Sequence, residues 1–187
     1  MKANSGVTLL ELIVTMAILA VVASVAVPPM THFVQRYRAE IQRHRLFDLI
    51  ALARGKAYSE GKIYTLCPLD TDSNCNNDWS NGAQLFVDTD GDHQRDADEM
   101  LERILEPMPA GASLHWNTLH GSYLQFRPDG RPQNQTGNFA YCPPDSDAEQ
   151  GWIIVLNATG RPYIGRDSDG NGLVENGSGS DLTCTAA

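Results

Sequence analysis

The sequence predicts an α+β protein in which one long N-terminal helix, its first half membrane-spanning, packs against a C-terminal antiparallel β-rich domain. Three observations carry that expectation. Val7–Val27 (VTLLELIVTMAILAVVASVAV) is a run of 21 residues with a single charge, Glu11. From Met30 to Glu60 apolar residues recur at three-to-four spacing, the helical period. After Gly61 the pattern changes to short runs of strand-forming residues separated by Gly, Pro and Asn turns. The chain has 187 residues and is 42% hydrophobic, which suits one domain with an appendage and excludes a disordered segment. Its 14 Lys+Arg against 23 Asp+Glu give a net charge of −9, which argues against a general nucleic-acid binder. Gly 16 and Pro 10 are too few and too irregular for a collagen-like chain.

Residues 1–6 are short and polar, with one Lys. The apolar run that follows has the length of a span, about 20 residues. It exceeds the roughly 7–15 apolar residues of a secretory signal peptide. It also continues into Pro28-Pro29, which are expected to bend the helix or melt it locally. A carboxylate inside an apolar span is costly, so Glu11 is a candidate functional residue. In residues 30–60, Phe33, Tyr37, Ile41, Leu46, Leu49, Ile50, Ala53 and Ala57 form the expected core stripe. Arg36, Arg38, Arg43, Arg45, Arg54 and Lys56 form a basic outer face, read here as solvated although it would suit anionic lipid. Gly61 is the stop. The helix is expected over Val7–Glu60, about 80 Å if straight. Strands are expected at Ile63–Cys67, Gln84–Val87, Leu101–Leu105, Ser113–Trp116, Tyr123–Arg127, Phe139–Cys142 and Trp152–Leu156. Residues 61–187 thus form the β-rich domain with an irregular tail.

Gly6-Val7-Thr8-Leu9-Leu10-Glu11 resembles the processing site of type IV pilins and type II secretion pseudopilins. The resemblance implies cleavage between Gly6 and Val7 by a prepilin peptidase, methylation of the new amine, and Glu11 as fifth residue of the mature chain. Pro28 sits where that class often has a kinking proline, and Val7 stands where Phe is commoner. Glycine before the cut lets a protease hold the backbone extended. In a filament, Glu11 would pair with the Val7 amine of a neighbour. An unpaired carboxylate in an apolar bundle costs several kcal/mol, so the pairing would set subunit register.

Further motifs fall in one order: Leu49–Lys62 (LIALARGKAYSEGK), Cys67-Pro68, Asp78–Gly82 (DWSNG), Leu85–Asp88 (LFVD), Phe126–Arg131 (FRPDGR) and Asn157–Arg161 (NATGR). Together they resemble the GspH/FimT/FimU group of type II secretion minor pseudopilins and type IV minor pilins. That resemblance implies a structural, non-enzymatic role in initiation or tip assembly of a type IV pilus. The alternatives are a GspH-like pseudopilin of a type II secretion system and a FimT-like DNA-uptake pilin. Implied partners are other minor pilins and the major pilin or pseudopilins, the peptidase and the inner-membrane assembly platform. The implied location is a single pass of the bacterial inner membrane with the β-domain in the periplasm, then the filament at the cell surface.

Disulfides persist in that location, and four cysteines allow three pairings. Cys67–Cys75 would close a short Asp/Asn loop, and Cys142–Cys184 would staple a tail that is Gly/Ser/Asp-rich from Asp167 onward. Calcium is the one cofactor the residues admit. Asp88, Asp90, Asp92, the Gln94 carbonyl, Asp96 and Glu99 fall at the ligand positions of an EF-hand loop, but His93 replaces its glycine and the flanks read as strands. A second run, Asp167-Ser-Asp169-Gly-Asn171-Gly-Leu-Val-Glu175, starts alike and lacks the closing Glu at position twelve. The plainer reading of both is an acidic, solvated hairpin tip. FimT-type pilins bind DNA through a C-terminal Gly-Arg-x-Arg; here Gly160-Arg161-Pro162-Tyr163 lacks the second Arg, and Arg166 follows among acids. Two arginines neutralise few phosphates, so nucleic acid is not an expected partner. His32, His44, His93, His115 and His120 show no metal spacing, and no nucleophile elbow or P-loop is present.

Overall fold

A computed structural model describes residues 8–69, 75–119 and 122–184, without the side chains of 25–29, 31 and 32. The chain divides into two compact units, residues 1–38 and 39–187. Helix α1 is Leu9–Glu60. Thr8 caps it: its hydroxyl accepts the Glu11 N–H at 3.3 Å. Thr8-x-x-Glu11 therefore has the spacing of a capping box, and a carboxylate in the first turn suits the positive end of the helix dipole.

The first unit has no core of its own among the described residues. Every described side chain from Thr8 to Ser24 is exposed, including Leu9 at 76%, Leu10 at 72% and Leu19 at 65%. Thr15 and Ser24 turn their hydroxyls back onto the Leu12 and Val21 carbonyls, so the few polar groups here are satisfied within the helix. The backbone stays helical through Pro28 and Pro29. Among the described residues no helix is long and apolar enough to cross a membrane. The unbroken run of described side chains from Thr8 reaches only Ser24, short of the roughly 20 residues a span needs.

In the second unit α1 buries Ala39, Gln42, Leu46, Leu49, Ile50, Ala53 and Ala57. This stripe corrects the expected one at its N-terminal end. Phe33 is 70% and Tyr37 60% exposed, because the compact unit begins only at Ala39. Gly61 ends the helix in the left-handed region (φ 66°), its N–H reaching the Ala57 carbonyl at 3.1 Å.

Eight strands follow: β1 Tyr64–Pro68, β2 Ala83–Val87, β3 Leu101–Leu105, β4 Ser113–Thr118, β5 Leu124–Phe126, β6 Gly137–Cys142, β7 Trp152–Leu156 and β8 Pro162–Ile164. They form two antiparallel four-stranded sheets, ordered β3-β2-β1-β5 and β4-β6-β7-β8. β1, β2 and β7 are buried along their whole length. The α1 stripe joins one core with Tyr64, Leu66, Leu85, Phe126, Phe139 and Ile154. Trp152 locks the helix down, its indole N–H donating to the Ala39 carbonyl at 2.9 Å while its ring stacks on Tyr141. Trp79 and Trp116 close on Phe139 from two sides, at 4.8 and 4.3 Å between centroids.

A smaller cluster, Ala140, Cys142, Ile153, Val155 and Leu182, lies outside that core. It shows that the tail is not held by its cross-link alone. Leu182 is 3% exposed and its N–H donates to the Val174 carbonyl. The two disulfides are Cys67–Cys75 and Cys142–Cys184, with Cα–Cα distances of 5.4 and 5.6 Å.

Candidate functional site: assembly helix, acidic loops and a two-arginine cleft

Glu11 is one turn into an exposed apolar helix, where a neighbouring chain can reach it. Gly6 and Val7 lie outside the described residues. The capping role of Thr8 toward Glu11 was readable in the sequence from the Thr-x-x-Glu spacing, although the apolar run draws attention away from it.

The motifs of the β-domain meet in space. FRPDGR and NATGR are turns, each closed by an Asx side chain. Asp129 accepts the Arg131 N–H at 3.0 Å, and Asn157 accepts from Thr159 and Arg161, both also at 3.0 Å. The Arg131 N–H and the neighbouring guanidinium of Arg127 hold the Asp129 carboxyl below the usual carboxylate range. Gly160 (φ 77°) packs so tightly that a Cβ would stand 2.7 Å from the Gly130 carbonyl. Gly130 in turn lies against Arg54 and Tyr58 of the LIALARGKAYSEGK segment. Three motifs far apart in sequence thus form one junction between helix and sheets. A second junction is ionic: Lys56 bridges Glu60 and Glu102, and the Tyr64 hydroxyl donates to Glu60 at 2.7 Å. Burial, together with that carboxylate, pushes the Tyr64 phenol well above its ordinary value.

The two acidic runs share one hydrogen-bond plan that the sequence only half shows. Asp88 accepts the Gly91 N–H at 2.7 Å and the His93 N–H at 3.2 Å; Asp167 accepts those of Gly170 at 2.7 Å and Gly172 at 2.9 Å. Glu99 accepts the Thr89 N–H and Glu175 that of Ser168, closing each loop. His93 takes the left-handed conformation (φ 71°) that Gly172 takes in the second loop, so His93 replaces glycine without changing the turn. Its ring stacks on Tyr123 and its Nδ1 meets the Gln125 amide at 2.9 Å.

Within each loop three carboxylates converge, each offering an oxygen within 4.8 Å of the others: Asp88, Asp90 and Glu99, and Asp167, Asp169 and Glu175. Asp92 and Asp96 stand outside the first trio; Asp92 caps the Gln94 N–H, and the Asp96 N–H donates to Glu99. Strands flank the first loop, not helices. Carboxylate oxygens are what calcium takes. Asp88, however, is fully buried and also accepts from the Thr65 hydroxyl at 2.6 Å and the Gln125 amide at 2.8 Å, so both of its oxygens already serve the fold. The backbone N–H groups of Gly172 and Gly170 lower the Asp167 carboxyl.

Arg161 and Arg166 come together at one cleft of about 930 Å³, beside β8, Phe47 of α1 and the buried Glu175. This cleft was hidden from the sequence because β8 itself was.

A helix that exposes its described apolar side chains in its first half and packs its second half against a two-sheet domain has the architecture of a pilin-like protein. Residues 42–160 match the family model for the type II transport protein GspH, and residues 1–27 match that of the prokaryotic N-terminal methylation motif. The chain belongs to the GspH family, in its group of minor pilins and pseudopilins. The fold is similar to that of the Pseudomonas aeruginosa (strain PAO1) type IV minor pilin FimU, with TM-score 0.58 and 18% identity over 72% of this chain and 92% of that one. It is also similar to the minor pseudopilin EpsH of the Vibrio cholerae type 2 secretion system, with TM-score 0.51 and 12% identity over 68% of this chain and 95% of that one. No curated protein matches the sequence.

Proposed function

We propose that the chain is a minor pilin that takes part in initiation and tip assembly of a type IV pilus, a structural and not a catalytic role. The observation that carries the reading is the unpartnered apolar half of α1 with Glu11 in its first turn. A monomer gains nothing by exposing such a face to water. Before assembly the Val7–Val27 run anchors the chain in the inner membrane, with the β-domain on the periplasmic side, where its two disulfides persist. The peptidase removes residues 1–6, and the new Val7 amine, methylated, meets Glu11 of a neighbour in the filament core. Pro28 and Pro29 are the place where the helix bends to suit that packing. The acidic loops serve the domain as rigid turns.

A second reading, a GspH-like pseudopilin of a type II secretion system, is favoured by the description of the matching family model. The genes beside this one separate the two: minor pilins and an adhesin for the first, secretion components for the second. The filament role itself is tested by intact mass and by Glu11→Ala. Cells with the peptidase are expected to yield a chain lacking Met1–Gly6 and carrying one methyl. Glu11→Ala is expected to be processed but excluded from filaments. An intact N-terminus, or normal co-assembly of Glu11→Ala, refutes the role.

A further inference from the structure

β8 closes the second sheet on one side, and among the described residues no strand pairs with its outer edge. Its register shows which groups face out. Gly165 donates to the Ile153 carbonyl and Asn157 to the Arg161 carbonyl, so Arg161, Tyr163 and Gly165 are the residues bonded to β7. Antiparallel pairing alternates, so Ile164, opposite Ile154, points both its N–H and its C=O away from β7. An unpaired strand edge is a template for another strand.

The two-arginine cleft lies along this edge. Phe47 and Ile164 give it an apolar wall, and Arg161 and Arg166 bracket the strand at its two ends. Both arginines are exposed, and among the described residues neither is in an ion pair. The buried Glu175 also lines the cleft, but both its oxygens take the Ser168 N–H.

We infer that this cleft receives a short extended acidic segment of a neighbouring filament subunit, which adds a strand to β8. The inference rests on the filament-subunit reading above. One closely spaced pair of main-chain hydrogen bonds forms at Ile164, and flanking carboxylates meet Arg161 and Arg166. Main-chain bonding gives the contact its affinity and the two charges give it register. A polynucleotide fits the cleft less well. Two arginines neutralise two phosphates at most, on a chain of net charge −9, and a strand edge offers bases nothing.

The test uses the full chain in cells that assemble it. The photoreactive amino acid p-benzoyl-phenylalanine is placed at position 163, which is 44% exposed at the cleft, and separately at position 13 in the apolar helix. Adducts are mapped by mass spectrometry. The expected adduct at 163 is an Asp/Glu-bearing, non-helical segment of a co-assembled subunit. Arg161→Glu with Arg166→Glu is expected to lower its yield about tenfold, the effect of losing about 1.4 kcal/mol. Ile164→Pro deletes the outward N–H and no bond to β7, so it is expected to abolish the adduct while the melting temperature holds. If Ile164→Pro unfolds the domain, the two exposed arginines carry the test alone. A nucleic-acid adduct, a helical or basic peptide, or an unchanged yield in the arginine variant overturns the inference. Position 13 cross-linking while 163 stays silent also overturns it and leaves the filament reading standing. Silence at both positions removes both.

Discussion

The tail offers a sharp test, because two devices of different physical origin hold the same segment. Cys142–Cys184 closes a loop with a sequence separation of 42. In the chain-entropy picture, closing a loop of that length stabilises the folded state by about 4 kcal/mol, against about 2.5 kcal/mol for the 8-residue separation of Cys67–Cys75. Leu182 works in the folded state instead. It sits 3% exposed against Ala140, Ile153 and Val155, and Gly151 makes room for it, since a Cβ there would stand 2.3 Å from Leu182 Cδ2. Leu182→Ala is expected to cost about 2–5 kcal/mol. The assay is thermal melting of the chain from Met30 onward. A domain of that size loses about 2–4 °C per kcal/mol, so Cys142→Ala with Cys184→Ala is expected to lower the midpoint by about 8–16 °C. The two devices share contacts, so the triple variant with Leu182→Ala is expected to fall short of the sum. A double-cysteine variant melting within about 2 °C of the parent refutes the cross-link argument and assigns the tail to Leu182.

Three further outcomes are expected in the same melts. Asp88→Asn puts an amide where four donors converge on a carboxylate, so at least one donor then faces another; the cost is about 2–4 kcal/mol, and a variant as stable as the parent refutes the network. Tyr64 binds its proton more tightly when folded than unfolded. The stability this contributes is whole below the ordinary tyrosine value near 10 and is lost as pH rises above it, so the parent's midpoint should fall there more steeply than that of Tyr64→Phe, and parallel profiles refute the assignment. Gly82→Ala combines a φ of 93° with a Cβ 2.4 Å from the Leu105 carbonyl and is expected to cost at least about 3 kcal/mol; a near-parental melt contradicts it.

The helix and seven strands were legible because their residues follow local rules. Leu101–Leu105 and Trp152–Leu156 stand where their patterns place them, and the other five shift only at their ends. β8 was not legible. Its three residues begin with a proline, which reads as a break and is tolerated here only because the strand is an edge. The division into two sheets was hidden as well, since pairing between distant strands leaves no local mark. Of the helix stripe, Leu46 to Ala57 was readable, whereas Phe33 and Tyr37 keep the period but lie outside the compact unit. The acidic loops show the limit from the other side. Their spacing suggested ligands at every second residue, but burial of Asp88 depends on Thr65 and Gln125, which come from β1 and β5.

On the proposed filament reading, these contacts assign the strength of association and its specificity to different parts of the chain. The loops of the β-domain spend their directional groups on themselves: Asn157, Asn176 and Asp88 each gather three or more donors from their own turns or neighbouring strands. Such loops are rigid and offer a partner little. The first half of α1 does the opposite, exposing apolar side chains that any neighbouring helix or lipid can cover. Apolar burial of that kind is strong but non-directional, so it cannot by itself choose a neighbour. Selection then falls to the few directional groups left uncommitted. In the apolar first half of α1, on the proposed filament reading, that group is the Glu11 carboxylate. On the domain, Ile164 presents its main-chain pair between two unpaired arginines. Charge reversal at the arginines should therefore weaken the contact at β8 while leaving filament entry through α1 intact, whereas Glu11→Ala should stop entry itself and the β8 contact with it.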